Sequence, residues 1–209
     1  DISACLVGSE MCIRDSSYPL YLSKNSYVLN TEERKLIDKE IINTVNNTDG
    51  NLVGNDKYFL NKLLELKKYI QKEINYYFYN VLEYGETQQI YITNSWVNYN
   101  KPGTKNHTHS HPNSIISGVY YVDGESTPIE FYNDNYRYLL NLNVKQPNWY
   151  NTNRVWYNLT KHNLYMFPST LTHGVQQNNS NITRISIAYN TFIKGPVGGD
   201  FQHTRLEIK

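Results

Sequence analysis

Half of the six histidines in this chain, His107, His109 and His111, fall within five residues of one another, in the stretch Gly103 to Val122, GTKNHTHSHPNSIISGVYYV. In an extended segment, side chains two apart share a face, so either His-x-His pair, His107 with His109 or His109 with His111, can offer two imidazoles to one ion. The run that follows, IISGVYYV, is β-branched and aromatic and reads as a strand that starts where the histidines stop. A His-rich tract also occurs as a solvated loop with no partner, so the metal reading needs a third ligand from elsewhere.

A second stretch offers one. In FPSTLTHGVQQNNSNITRISIAYN, His173 stands at the start of a strand and Arg184 follows eleven residues later inside the next. A hairpin turning at Asn178 to Asn181 would bring Arg184 back toward His173. Period 2 sets Arg184, Ser186, Ala188 and Asn190 on one face, opposite Ile185 and Ile187. A charge in the middle of an apolar strand is costly unless something pairs with it, and the partner is a carboxylate either of the protein or of a ligand.

The elements that must position these residues begin with helices. The stretch from Ser17 to Leu29 reads as a short strand or extended lead-in. Asn30 then has the look of an N-cap, with Glu33 in the capping-box position. Leu36, Ile37, Ile41 and Val45 repeat behind it at helical spacing, up to the turn cluster around Asp49 and Gly50. A second helix is expected from Lys57 to Glu83, burying Leu60, Leu63, Leu64, Ile70, Ile74, Phe78 and Val81. Strands follow: Gln89 to Asn100, the run after the histidines, and Pro128 to Asn133 as its hairpin partner across Asp123 and Gly124. Trp96 and Asn98, on the strand that leads to the histidines, could line a cavity, although packing in the core is the expected role of Trp96. Further strands are expected at Arg154 to Leu159, Asn163 to Pro168, His173 to Gln177 and Ile182 to Ile193, with a closing edge strand in TRLEIK. The polar, aromatic stretch from Asp134 to Asn153 reads as a long loop and a candidate lid. Helices first and then seven or so short strands fit an α+β, mainly β fold, a double-sheet jelly roll with two N-terminal helices packed on one face.

Composition narrows the function. With 209 residues, a net charge of +1 from 20 basic and 19 acidic side chains, and no run of like charges, the chain lacks the basic footprint of a nucleic-acid binder. No apolar run approaches the roughly 18 to 20 residues that span a bilayer. Cys5 and Cys12 are the only cysteines, so no disulfide framework supports the body, and a soluble protein of a reducing compartment is expected. The first sixteen residues, DISACLVGSEMCIRDS, hold both cysteines and none of the Asn and Tyr that fill the rest. They resemble translated adapter sequence, which implies a non-native extension over residues 1–16 ahead of one domain over 17–209.

The motifs together carry a family resemblance. His-x-His followed by PNSIISGVYYV, then NLYMFPSTLTHGVQQN, then RISIAYN, in that order, resembles a small, often phage-encoded family of 2-oxoglutarate- and Fe(II)-dependent oxygenases, distantly related to the prolyl hydroxylases. The likeness runs from about Ser17 to Lys209. It implies a double-stranded β-helix in which an H-x-D/E pair and a distal His form a facial triad on Fe(II), leaving positions open for 2-oxoglutarate and O2. Carried over, the metal ligands fall on His109, His111 and His173. Arg184 and Ser186 fall where the far carboxylate of 2-oxoglutarate is bound, and Tyr121 where related hydroxylases use a phenol on that carboxylate. The implied reaction converts 2-oxoglutarate and O2 to succinate and CO2 while hydroxylating a protein side chain or small molecule rather than a nucleic acid, in the cytoplasm, for a phage gene that of an infected bacterium.

One departure matters. His111 stands where the family has Asp or Glu, so three neutral imidazoles would leave the ion its full double charge, open also to zinc, copper or nickel. The pair His107-x-His109 has the same spacing as the preferred one. Two other readings of the residues stay open. A three-histidine cupin needs no 2-oxoglutarate, but Ile115 and Ile116 occupy the place of its Glu and Arg184 is unexplained by it. A jelly-roll binding domain without turnover is favoured by the missing carboxylate.

Overall fold

The computed structural model describes residues 20–23, 26–124, 127–132, 145–146, 152–199 and 203–209. The segment 1–16, its two cysteines, and all of the expected lid except residues 145–146 and 152–153 lie outside them.

Helix α1 (Thr31–Glu40) starts as its sequence dictates: Asn30 Oδ1 accepts from the Glu33 backbone N–H at 2.9 Å, and Glu33 Oε2 accepts from the Asn30 N–H at 3.1 Å. The other Glu33 oxygen accepts from Leu66 N–H at 3.0 Å, in the first turn of α2 (Leu64–Tyr76), so one buried carboxylate caps two helices. The expected apolar stripe on α1 is not the buried face. Within the helix Ile37 is buried and Leu36 exposed, and Ile41 and Val45 are exposed because the helix stops at Glu40 and a 3-10 turn (Ile41–Asn43) leads into strand β2 (Thr44–Asn46), which changes the period. The single long helix expected from Lys57 to Glu83 is instead a 3-10 turn (Phe59–Lys62), α2, and a π turn (Tyr77–Val81). Leu63 breaks the ladder with φ −116° and ψ 68°. The phase shift turns Leu64 outward and buries Leu66 instead, while Leu60, Leu63, Ile70, Ile74 and Phe78 are buried as expected.

The remaining strands are β1 (Tyr21–Leu22), β3 (Leu52–Gly54), β4 (Gln89–Asn100), β5 (Asn106–His109), β6 (Ile116–Asp123), β7 (Pro128–Tyr132), β8 (Arg154–Asn158), β9 (Leu164–Pro168), β10 (Thr172–Val175), β11 (Arg184–Val197) and β12 (Leu206–Ile208). All pairings between them are antiparallel. The larger sheet has the order β1-β9-β6-β11-β4-β3-β2, with β12 on the far part of β11, and the smaller has the order β5-β10-β7-β8. Two expected hairpins are absent. β7 does not pair with β6 but crosses to the small sheet, between β10 and β8. β10 and β11 likewise belong to different sheets, so the Asn178 to Asn181 segment bridges the sandwich rather than folding a hairpin. The cause is burial. All but the last residue of β6 are buried, and its edges are filled by β9 and β11, leaving no edge for the next strand in sequence.

Period 2 then divides the large sheet's side chains between two cores. Val97, Tyr99, Tyr120, Ile185, Ile187 and Tyr189 face the helices and pack with Ile37, Leu66, Ile70 and Ile74. Val119 and Tyr121 face the small sheet and pack with Ile129, Phe131, Tyr157 and Phe167. Both helices thus lie on the outer face, as expected, and the inner face is left for a site. No helix among the described residues is long and apolar enough to cross a membrane.

Tyr189 is opposite Gly118 in the register of β11 and β6, and a Cβ at Gly118 would fall on the phenol. The Tyr189 hydroxyl is buried with no hydrogen-bond partner. Gly118→Ala is therefore expected to destabilise the protein by about 1–3 kcal/mol through overpacking. Tyr189→Phe, which removes an unpaired buried hydroxyl, should be neutral or stabilising by about 1 kcal/mol. Urea unfolding of the two variants checks both signs.

Candidate metal centre

The inner face of the large sheet is ruled into rows by strand register. Arg184 lies opposite Asn100; Ser186 lies between Asn98 and Tyr121; Ala188 lies between Trp96 and Val119; Asn190 lies between Asn94 and Ser117. On the small sheet, His173 lies between His109 and Phe131. His109 and His173 are thus side by side on adjacent strands, and the separation of 62 positions between His111 and His173 in sequence is closed by the β5/β10 pairing. His111 follows just beyond β5, where its backbone N–H donates to Ser169 O at 2.9 Å.

The three imidazoles converge. One ring nitrogen from each of His109, His111 and His173 lies within 4.8 Å of the others, and the Nε2 atoms of His109 and His111 are 3.0 Å apart. Each ring is fixed at its other nitrogen. His109 Nδ1–H donates to His107 O at 2.7 Å, and His173 Nδ1–H donates to Leu171 O at 2.9 Å. His111 Nδ1–H donates to Asn190 Oδ1 at 2.6 Å. A carbonyl oxygen can only accept, so these contacts put the proton on Nδ1 and leave a lone pair on every Nε2. Two such lone pairs facing each other at 3.0 Å repel unless a cation lies between them. Two ligand bonds of about 2.1 Å at a right angle bring their nitrogens roughly 3.0 Å apart, so the donor set fits a divalent transition ion.

Electrostatics favours the same state. Burial, the largest cause in each case, lowers all three imidazoles: His109 falls below its ordinary value of 6.5, His111 to about 4 and His173 to about 3. All three rings are therefore neutral at neutral pH and available as ligands.

Behind His111 lies a polar chain that sequence reasoning left without a role. Ser117 Oγ donates to Asn190 Oδ1 at 2.7 Å and lies 2.8 Å from both His111 Nδ1 and Ser169 Oγ, and Ser169 Oγ donates to Ser114 Oγ at 2.7 Å. The signal available was the period of β11, which sets Asn190 on the face of Arg184. His107, by contrast, is half exposed and stands outside the cluster, with its Nδ1 3.3 Å from Asp49 Oδ2.

Arg184 occupies the other end of the cavity. It is 2% exposed, and among the described residues it has no carboxylate partner. Its guanidinium donates weakly to Gln176 O at 3.5 Å and Asn106 Oδ1 at 3.4 Å. Burial lowers the pKa of Arg184 and the nearby Tyr121 phenol opposes that shift, while burial raises the pKa of Tyr121 itself. Gly124, with φ +97°, passes so close that a Cβ there would meet the Arg184 side chain. Arg184, Ser186, Tyr121, Trp96, Asn98 and the three histidines all line one cavity of about 180 Å³.

Two antiparallel sheets enclose three convergent imidazoles and a buried guanidinium with no carboxylate partner among the described residues, the arrangement of a jelly roll with a candidate metal centre. The family described as "Putative 2OG-Fe(II) oxygenase" matches residues 94–190, the segment that carries the three histidines and Arg184. No curated protein matches the sequence. Among solved structures, the non-heme alpha ketoglutarate dependent carbocyclase SnoK from nogalamycin biosynthesis is similar at 11% identity with a TM-score of 0.59, over 95% of this chain and 91% of SnoK. HygX from Streptomyces hygroscopicus, solved with nickel, 2-oxoglutarate and hygromycin B, is similar at 10% identity with a TM-score of 0.56, over 87% and 85%. A Pseudomonas putida prolyl-4-hydroxylase is similar at 9% identity with a TM-score of 0.51, over 83% and 92%. At these identities the likeness is one of fold, the jelly roll.

Asn190→Ala is expected to weaken Co(II) or Ni(II) binding by roughly ten- to a hundredfold, read by calorimetry, since it frees the His111 ring. For the metal-free protein the pH dependence has a definite sign. Unfolded histidines take up protons near 6.5 that the folded ones refuse until about 4 and 3, so stability is full above 6.5 and falls as the pH drops toward 3. His173→Asn should flatten that acid slope, and an unchanged slope in urea melts from pH 7 to 4 would count against the buried neutral ring.

Proposed function

We propose that this chain is a 2-oxoglutarate- and Fe(II)-dependent dioxygenase that hydroxylates an unidentified protein side chain or small molecule, one oxygen atom of O2 entering the new hydroxyl and the other the succinate formed as 2-oxoglutarate loses CO2. The observation that carries this reading is the buried Arg184 guanidinium, which has no carboxylate partner among the described residues and lines the same cavity as the three imidazoles. A cupin without 2-oxoglutarate gives that guanidinium nothing to do.

In this reading His109, His111 and His173 hold the iron through Nε2. When bound, iron supplies the redox chemistry that couples decarboxylation of 2-oxoglutarate to oxidation of a C–H bond. Arg184 binds the far carboxylate of 2-oxoglutarate with its planar fork, which matches two oxygens at once and stays charged. Ser186 and Tyr121, register partners on β11 and β6, add hydroxyl donors to the same carboxylate. Ile129, Phe167 and Val175 wall the cavity with apolar surface and keep water from the cosubstrate. Trp96, whose ring centroid is 5.9 Å from that of His111, and Asn98 line the cavity where a substrate would approach. The cytoplasm, which holds 2-oxoglutarate and reduced iron, is the proposed place of action.

Anaerobic protein with Fe(II) and 2-oxoglutarate should develop a weak visible charge-transfer band. Arg184→Ala should abolish that band while leaving metal binding intact, and Arg184→Lys should weaken 2-oxoglutarate by about tenfold or more, because an ammonium cannot grip two oxygens in one plane. Equal 2-oxoglutarate affinity in wild type and Arg184→Ala would refute the assignment.

A further inference from the structure

We propose that the side of the cavity formed by β3 and β4 receives a sugar ring of the substrate, stacked on the Trp96 indole and held through its hydroxyls by the Asn98 and Asn47 amides. The inference rests on the reading above for the metal and the cosubstrate, and deepens it by naming the class of substrate.

Register divides the cavity floor. Arg184 and Ser186 on β11 and Tyr121 on β6 are taken up by the cosubstrate in that reading. On the other side of β11, Asn98 lies between Ser186 and Val53, and Trp96 lies beside Ala188. Asn47, in the turn between β2 and β3, lines the same cavity, as does His107, whose Nδ1 is 3.3 Å from Asp49 Oδ2 in that turn. Trp96 belongs to neither hydrophobic core and is partly exposed, with its ring centroid 5.9 Å from that of His111. A ring laid on the indole therefore sits beside the metal ligands and leaves the open coordination position to O2.

The polar groups on this side are open. Asn98 is buried, yet its side-chain amide has no hydrogen-bond partner among the described residues, and the Trp96 indole N–H has none either. Asn47 Oδ1 accepts from the Thr48 backbone N–H at 2.8 Å and the Thr48 hydroxyl at 3.3 Å, while its Nδ2 donor is unpaired among the described residues. Nearer Arg184 the same residue type is satisfied within the protein, since Asn100 Nδ2 donates to Asn106 Oδ1 at 2.7 Å. Buried polar side chains are rarely left without a partner, so an open amide beside a metal centre marks where a ligand provides one. An amide offers an acceptor and a donor side by side, which matches hydroxyls on neighbouring carbons, each able to donate and accept. An indole face takes the C–H groups of a ring. A sugar carries both surfaces on one unit. The open groups lie on the face of the sheet and not along a strand edge, so a peptide that paired as an added strand would not meet them.

The test uses the full chain loaded with Co(II) and 2-oxoglutarate under anaerobic conditions, with the Zn(II) form as diamagnetic control. The methyl glycosides of glucose, galactose, mannose and N-acetylglucosamine are titrated in, alongside N-acetylprolinamide and N-acetylasparaginamide as peptide probes, and NMR relaxation of the probe protons is followed. At least one glycoside is expected to bind saturably with relaxation enhanced by Co(II) and not by Zn(II), which places it at the metal. Asn98→Ala should weaken that glycoside by about tenfold, and Trp96→Ala by about tenfold where Trp96→Phe, which keeps an aromatic face, stays within about threefold of wild type. Should Asn98→Ala fail to fold, Asn47→Ala, in a turn, is expected to weaken it by about threefold and decides in its place. A free monosaccharide that binds as tightly as its methyl glycoside assigns the site to a free sugar, and a tighter glycoside assigns it to a linked one; either upholds the inference. No Co(II)-relaxed glycoside, a peptide probe tighter than every glycoside, or unchanged affinity in the Asn98 and Trp96 variants overturns it. Failure of the Co(II) protein to relax the methylene protons of 2-oxoglutarate would instead defeat the dioxygenase reading, so the two failures are distinguishable.

Discussion

Three ring nitrogens, each bearing a lone pair, are held against one point because the opposite nitrogen of every ring is tied to an oxygen that can only accept. This constraint ranks above the rest of the architecture, since without a cation the 3.0 Å approach of His109 and His111 would be repulsive and the rings would turn apart. The register of β5 on β10 and the anchoring of His111 to Ser169 and Asn190 can be read as the means of holding that arrangement. Two of the acceptors are backbone carbonyls of the small sheet's own strand and turn; the third is a side chain of the large sheet. The site therefore joins the two sheets across the sandwich, and loosening either sheet would spoil it.

Strand β11 supplies most of that joining. It is flanked on both sides, by β4 and β6, so its backbone is fixed along the whole stretch from Arg184 to Asn190. On one face Ile185, Ile187 and Tyr189 sink into the core beneath the helices, and on the other Arg184 and Ser186 line the cavity while Asn190 holds the His111 ring. Burying a guanidinium with two long hydrogen bonds as its partners opposes folding by several kcal/mol. The apolar face of the same strand offsets that penalty, since each large side chain removed from water contributes about 1.5–3 kcal/mol. A binding site can thus be under-satisfied on one side of a strand because the other side over-satisfies the fold.

What could be read from the sequence follows the range of the interaction concerned. The Asn30 cap, the bounds of the strand Gln89 to Asn100 and the facing of Arg184, Ser186 and Asn190 depend on neighbours a few residues away, and the residues state them directly. The partner of each strand does not. Asp123 and Gly124 look like a hairpin turn, but whether β7 folds back on β6 or crosses to the other sheet is decided by β9 and β11 competing for the edges of β6, segments some 40 and 60 residues away. The helix errors at Ile41 and Leu64 share one origin: periodicity carried through a break, at Glu40 and at Leu63, where the backbone changes phase without a glycine or proline to announce it. Asn190 was legible as to face and illegible as to role, because its partner His111 is 79 positions earlier.

The histidine at position 111 can be weighed by its surroundings as well as by its departure from the family. An imidazole has two nitrogens at opposite corners of a rigid ring, so it can donate at Nδ1 to one partner and present a lone pair at Nε2 to another. The oxygens of Asn190 and Ser117 are placed for the donor, at 2.6 and 2.8 Å, and Ser169 and Ser114 continue the chain behind them. An ionised aspartate has no N–H to give to Asn190 Oδ1. A carboxylate ligand lost by chance would leave an ill-fitting pocket of polar atoms around its replacement. Here the pocket is complementary to a ring, which favours a three-imidazole centre as the state this fold is built to hold, and with it an ion that keeps its whole charge.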